Sequence, residues 1–365
     1  MIEIHKSGTL TTIQDAGRPG YQELGVPESG ALDNFAFRCA NILVGNPENT
    51  AVLEAVLFGP EIKFSEDTFI AITGADLGPS VDGEVVNMWK TLEVSSGSIL
   101  RFSGPTGNGM RTYLSISGGF AGDGTKRVMN SYSTYIPGGF GGHEGRALRD
   151  GDVLTTGRGV DGFEGGLILD NPPYFGDDEV IRIIEGPQQN SFTEEAIDTL
   201  TSASYEVTPN SDRMGCRLDG PALEHVNGPD VISDGNAFGV IQVPGDGKPI
   251  ILLADRGTTG GYTKIATVIT ADRSQLAQLI PGSIVKFEMV GQEKAVDLLR
   301  EQERSLTELS NKQGLQLKFK VNGVLVDVVD DNEGPFTIQD LENTSYKALV
   351  SDGSSDHQVK VDISE

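Results

Sequence analysis

Four segments of the chain gather side chains able to recognise and activate a planar, amide-like group. In Thr11-Thr12-Ile13-Gln14-Asp15-Ala16-Gly17-Arg18-Pro19-Gly20, a β-type run delivers Gln14, Asp15 and Arg18 into a glycine-punctuated turn. An amide, a carboxylate and a guanidinium supply both donors and acceptors for a urea- or amide-like guest; the Asp and Arg could equally brace their own loop. The second segment carries Tyr135, then Gly138, Gly139, Gly141 and Gly142, with Arg146 close behind. Its glycines let backbone N–H groups approach an anion, or simply form a barrel turn or lid. In the third, Asp212 and Arg213 are adjacent. In an extended segment they point to opposite faces, one free to meet a ligand while the other braces. The fourth places Gln242 on one strand and presents Asp255, Arg256, Thr258, Thr259 and Tyr262 where a second strand ends on a Gly260-Gly261 loop. That arrangement suits a pocket rim, or a turn held by an Asp–Arg pair.

These segments must be positioned by short strands. β-type runs at 9–13, 51–58, 68–73, 98–103 and 111–118 are each bounded by Gly, Pro, Asn or Asp, as in a barrel or sandwich. One helix interrupts them, with Asp33 as N-cap, Phe35, Ala36, Cys39, Ala40 and Leu43 at helical spacing, and Gly45 and Pro47 ending it. A Gly-rich linker over 161–178 leads to a second β region at 179–290. This opens with the strand 180–184 and a helix starting at Thr193, whose Glu194 and Glu195 complement its dipole. A charged helical connector over 291–314 precedes a small β appendage at 315–365, where alternation turns at Asn322-Gly323. The fold class expected is mainly β with a few helices: a first barrel domain at 1–160, a second at 179–290, with strands of the two free to interleave, and the appendage.

Composition narrows the function. The chain has 365 residues, 47 of them Gly, and a net charge of −25. That acidity argues against nucleic-acid binding, which needs clustered Lys and Arg. The chain start lacks a basic region followed by an apolar run, and no stretch is apolar enough to span a bilayer, so a cytoplasmic protein with no membrane contact is expected. His5, His143, His225 and His357 are isolated and neither Cys39 nor Cys216 has metal-type spacing, so no metal site is expected. Walker A, Rossmann and Gly-x-Ser-x-Gly signatures are missing.

Taken in order, several stretches resemble the allophanate hydrolase subunit 2 family, also described as biotin-dependent carboxyltransferase or Kip-A-type proteins. They are Leu10 to Gln22, Ala40 to Pro47, Ile72 to Leu77, Gly138 to Gly142, Ser211 to Gly215, and Ala254-Asp255-Arg256 with Thr258 to Tyr262. The resemblance covers residues 5–290. Gly257 and Thr263 stand where the family usually has Gln and Pro, and Cys216 where an aromatic is common.

The resemblance implies two cyclophilin-like β-barrels and a partner of the allophanate hydrolase subunit 1 (Kip-I) type, with a lactam-utilisation (LamB/YcsF-type) protein as a further candidate partner. Members act in bacterial 5-oxoprolinase, in the carboxyltransferase region of urea carboxylase, or as antagonists of a sporulation-kinase inhibitor. Asp212-Arg213, where urea-carboxylase relatives tend to have Asn-Arg, favours the oxoprolinase branch. The expected function is therefore a subunit of a two-component carboxyltransferase-like or ATP-dependent 5-oxoprolinase complex acting on a small amide, lactam or urea-type substrate. The alternative is a non-catalytic partner of a Kip-I-type inhibitor. No covalently bound cofactor is expected, since the tail lacks a Met-Lys-Met biotinylation signal; carboxybiotin on a separate carrier, or ATP, would serve. Arg18 or Arg213 is then the candidate oxyanion donor and Asp15 or Asp212 the candidate base. The glycine loop would be the anion cradle, and Asp255, Arg256 and Tyr262 the far wall.

Overall fold

The computed structural model describes residues 1–120, 125–160, 162–176 and 178–312, together with the strand backbones of the tail. The chain falls into two compact units, Met1–Leu306 and Thr307–Glu365.

The first half of the larger unit contains β1 (Ile2–Lys6), β2 (Leu10–Gln14), α1 (Asn34–Ile42), β3 (Val52–Val56), β4 (Glu61–Phe64), β5 (Thr68–Gly74) and β6 (Pro79–Val81). It continues with β7 (Glu84–Val85), β8 (Thr91–Val94), β9 (Ile99–Phe102), β10 (Arg111–Ile116) and β11 (Val153–Leu154). Two sheets result, ordered β11-β1-β4-β9-β6-β7 and β2-β3-β10-β5-β8. Alternating apolar residues from both, among them Ile4, Ile13, Leu53, Ile62, Ile72 and Leu114, close one core, because successive strand side chains point to opposite faces. Asp33 caps α1 by accepting from Ala36 N at 2.9 Å. That bond satisfies an N–H that the first helical turn leaves without a partner. The helix packs on β5 and β10.

The second half contains β12 (Asp178–Glu185), α2 (Glu194–Ser202), β13 (Ser204–Val207), β14 (Gly215–Asp219), β15 (Asp230–Gly235) and β16 (Val240–Val243). It ends with β17 (Ile250–Leu252), β18 (Thr259–Val268), α3 (Arg273–Gln278), β19 (Ile284–Met289) and α4 (Gln292–Asn311). Seven strands run in the order β12-β19-β13-β14-β17-β16-β18, and β18 pairs back onto β12 to close a barrel. Closure removes the free sheet edges. β15 lies outside the ring, attached to β18 alone. The barrel core includes Ile181, Ile183, Tyr205, Ile241, Ile251, Ile265 and Phe287, and it takes in Leu32 from the first half.

In the smaller unit β20 (Leu317–Val321) pairs with β21 (Val324–Val328), and β22 (Ser345–Ser351) with β23 (Asp356–Asp362). The Asn322-Gly323 turn lies outside the described residues. The architecture is mainly β with few helices, as expected. The 161–178 stretch, expected as a plain linker, is tied down where it is described. Phe163 stacks edge-on against Phe69 at 5.4 Å, Leu169 N bonds Trp89 O at 3.0 Å, and Leu167 is buried.

Candidate functional site

The turn after β2 is knitted to the 131–135 segment chiefly by one carboxylate. Asp15 Oδ1 accepts from Ser131 Oγ and Ser133 Oγ, both at 2.6 Å, and from Gly17 N at 2.9 Å. Its Oδ2 accepts from Tyr132 N at 2.6 Å. Four donors on one buried carboxylate make a brace, with little acceptor capacity left for a substrate proton. Gln14 is committed through Nε2 to Thr12 Oγ1 and Thr134 O, while its buried Oε1 has no partner.

Arg18 is different. It is 1% exposed, yet only Nη2 is used, donating to Ser133 O. Nε and Nη1 are buried and unpartnered among the described residues, and the guanidinium lies 5.0 Å from the centre of the Phe140 ring. Burial lowers its pKa, while Asp15 and Asp255 raise it and Arg213 lowers it further. Leaving buried donors of a charged group unmade is costly, so these nitrogens call for acceptors that the described residues do not provide.

Arg213, the other candidate donor, has its guanidinium fully engaged. Nε donates to Asp255 Oδ2 at 2.9 Å, Nη1 to Glu54 Oε1, and Nη2 to Gly30 O at 2.6 Å. Burial would lower its pKa, but Glu54 and Asp255 outweigh this and hold it above the ordinary value. Glu54 in turn accepts from Tyr113 Oη and Leu32 N, both at 2.9 Å, and Tyr113 Oη accepts from Asp33 N. Asp33 accepts from Ser274 Oγ and Gln278 Nε2. A continuous polar seam thus joins the two β cores.

The remaining predicted residues divide. Tyr135 belongs with Arg18, since both its ring and the guanidinium pack on Phe140. Burial raises its pKa first and Asp255 second, so the phenol keeps its proton and can donate. Asp255 is buried against Arg213. Arg256 is spent on Asn236 O, Leu253 O and, at 2.6 Å, Glu28 Oε2, the residue whose carbonyl receives Arg18 N. Gln242, Thr258, Thr259 and Tyr262 form a separate group beside β15. Gln242 Nε2 bonds Asn236 Oδ1, Thr258 O accepts from Asn236 N, Thr259 pairs with Gly235, and Tyr262 pairs with Asp230.

Several local expectations change. Asp212 is exposed, and its Oδ1 caps its own turn by accepting from Met214 N and Gly215 N. It does not join the Arg18 group. Arg146 is held by Asp152 at 2.7 and 2.9 Å and by Glu144, so its charge is already matched. The glycine loop spends the N–H groups of Gly139, Phe140 and Gly142 on carbonyls of its own turn, and those donors cannot cradle an anion. Its glycines serve packing instead: a Cβ on Gly141 would lie 2.0 Å from Ser133 O, and one on Gly138 would lie 2.6 Å from the Tyr135 and Phe140 rings. Gly260 and Gly261, read as a loop, lie within β18.

Ser131, Ser133, Glu54 and Glu28 carry no sequence pattern that sets them apart as site residues. Glu54 leaves a trace, a carboxylate inside the apolar run Val52-Leu53-Glu54-Ala55-Val56. Among the described residues no group of three or more His, Cys, Asp and Glu side chains could hold a metal, and no helix is long and apolar enough to cross a membrane. A cavity of about 270 Å³ lined by Phe35, Arg182, Gln275 and Gln302 lies elsewhere. The convergent groups around Arg18, not this hollow, define the candidate site.

The chain as a whole has known counterparts. Residues 24–289 match the family model described as carboxyltransferase domain, subdomain A and B, and the chain belongs to that family. It is 36% identical over 315 residues to the C subunit of 5-oxoprolinase from Escherichia coli (strain K12), covering 85% of this chain and 98% of that protein. It is 33% identical over 330 residues to urea amidolyase of Saccharomyces cerevisiae, covering 84% of this chain and 18% of that protein. The solved structure of the K. lactis urea amidolyase superposes with a TM-score of 0.80 at 27% identity, covering 96% of this chain. This chain spans only 22% of that structure's length.

Proposed function

We propose that the chain is the subunit of a two-component 5-oxoprolinase-type complex that recognises a small amide, lactam or urea-type substrate, with Arg18 as its donor to the reacting oxygen. One observation carries this: a fully buried guanidinium with two nitrogens, Nε and Nη1, whose N–H groups no described residue uses. Such donors match the planar oxygen of a lactam or ureido group, and preorganised donors stabilise charge developing there without reorganising during the reaction. When bound, carboxybiotin would supply CO2 and ATP would supply activation of the lactam oxygen. Phe140 holds the guanidinium plane from one side, and Asp15 fixes the backbone that carries Ser133 O. Tyr135 Oη can add a second donor. Asp15 therefore positions, rather than removing a proton.

The branch and the partner come from likeness. The bacterial and yeast relatives are an enzyme subunit and an enzyme, which lends the regulatory alternative no support. An allophanate hydrolase subunit 1 (Kip-I-type) protein and a lactam-utilisation protein are the proposed companions. The bacterial relative is one subunit among others of its enzyme, which speaks for companions here too.

The test is ATP-dependent conversion of 5-oxoproline to glutamate by the assembled complex, wild type against Arg18→Ala. Loss of an oxyanion-side donor should cut turnover about 10²-fold. Unchanged turnover removes Arg18 from the chemistry, and a complex that never converts the lactam removes the substrate assignment.

A further inference from the structure

Another cationic side chain is buried with only a weak counter-ion, in the group that the structure separates from Arg18. Lys264 on β18 is 1% exposed. An ammonium carries three N–H donors. Among the described residues, the partner of Nζ is Asp234 Oδ2, at 3.4 Å. That carboxylate is a poor counter-ion, with a side chain 60% exposed and Oδ1 already accepting from Gly235 N at 2.7 Å. Burying an ammonium is strongly unfavourable unless good geometry and further acceptors compensate it. The described residues supply one long contact.

What surrounds Lys264 fits an anion. Gln242 on β16 is its register partner. Directly opposed residues on antiparallel strands project to the same face, so the two side chains leave the barrel wall on one side. Gln242 Nε2 uses one bond on Asn236 Oδ1, at 3.1 Å, and an amide nitrogen has two N–H groups. Gly260 keeps the approach clear, since a Cβ there would lie 2.6 Å from Gln242 Nε2. Asp234 itself rides on β15, the strand outside the barrel ring, which is exposed almost throughout and slips register between Asp230 and Asp234.

We propose that Lys264, assisted by Gln242, binds the carboxylate of a small organic acid, and that Asp234 is the internal stand-in which that carboxylate displaces. Resting on the function proposed above, the acid is of the substrate's own class, a carboxylate-bearing lactam, bound here apart from the Arg18 donors. Arg256 connects the two groups, one nitrogen on Asn236 O and another on Glu28.

The experiment is a ligand-observed NMR titration of the full chain with 5-oxoproline, with 2-pyrrolidone (the same lactam without the acid) and with acetate. It compares wild type, Lys264→Met and Asp234→Asn. A hydrogen-bonded charge contact is worth tenfold or more in affinity, as an order of magnitude. Lys264→Met should weaken both acids about tenfold and leave 2-pyrrolidone unchanged. Asp234→Asn, an exposed substitution that spares the fold, should tighten both acids severalfold by removing the competitor. Both variants binding the acids as wild type does, or no acid binding any form, overturns the site. Acetate separates the two ideas, because Lys264-dependent acetate binding without any for 5-oxoproline keeps the carboxylate site and discards the lactam substrate.

Discussion

Arg213 Nε donates to Asp255 Oδ2 at 2.9 Å while the same guanidinium reaches Glu54, so one side chain of the second β half closes a charge pair rooted in the first. Glu54 is 2% exposed and Asp255 4% in their side chains. The pair works as a rivet between cores, whereas Arg18 has two buried guanidinium nitrogens without a partner among the described residues, against one each in Arg111 and Arg273.

That contrast predicts opposite stability effects for two arginines. Arg213→Ala leaves two buried carboxylates uncompensated and should cost about 3–5 kcal/mol. Arg18→Met removes a buried cation holding one carbonyl and should leave stability unchanged or slightly raised. Urea unfolding of both variants checks this; equal losses would mean that Arg18 is structural too.

Gly141→Ala should disturb the site through packing. At φ +75° an added Cβ is strained, and it would stand 2.0 Å from Ser133 O and 3.0 Å from Arg18 Nη2. A loss of about 1–3 kcal/mol is expected from the backbone alone. Calorimetry gives the stability, and turnover of the complex should fall with it. Gly139→Ala, with open space around it, meets only the backbone penalty.

Asp33 gives the seam a pH dependence. Burial raises its carboxyl pKa, against the bonds from Ser274, Ala36 and Gln278. The folded state therefore keeps the proton longer than the unfolded chain, whose value is near 3.8. Stability is complete below that value and declines as pH rises above it, until the folded carboxyl ionises as well. Asp33→Asn removes this contribution, so the difference in unfolding free energy, variant minus wild type, should climb from pH 4 upward. A flat difference would contradict the assignment.

Both thiols should be inert in the folded protein. Burial pushes Cys216 up to about 12 and raises Cys39 well above its usual value. The reactive species is the thiolate. Thiol titration at pH 8 should count none natively and two in denaturant.

Local patterns in the sequence determined much of this. Caps at Asp33 and Thr193 start α1 and α2 where the side chains alone predict, since a capping bond spans only three residues. Short β-type runs mark β2, β3, β5, β10 and β12 for the same reason, with turn residues bounding the first four. The types of residue were also visible: Gln14, Asp15, Arg18 and Tyr135 gather about the 131–140 segment, and Arg213 pairs with Asp255. Tertiary structure alone decided what each one does. Whether an arginine is spent or spare depends on acceptors distant in the chain, such as Glu54 for Arg213, 159 residues away. Barrel closure through β18 and β12, the split of Gln242 and Tyr262 from Arg18, and the burial of Lys264 arise from pairings whose free energy no local window contains.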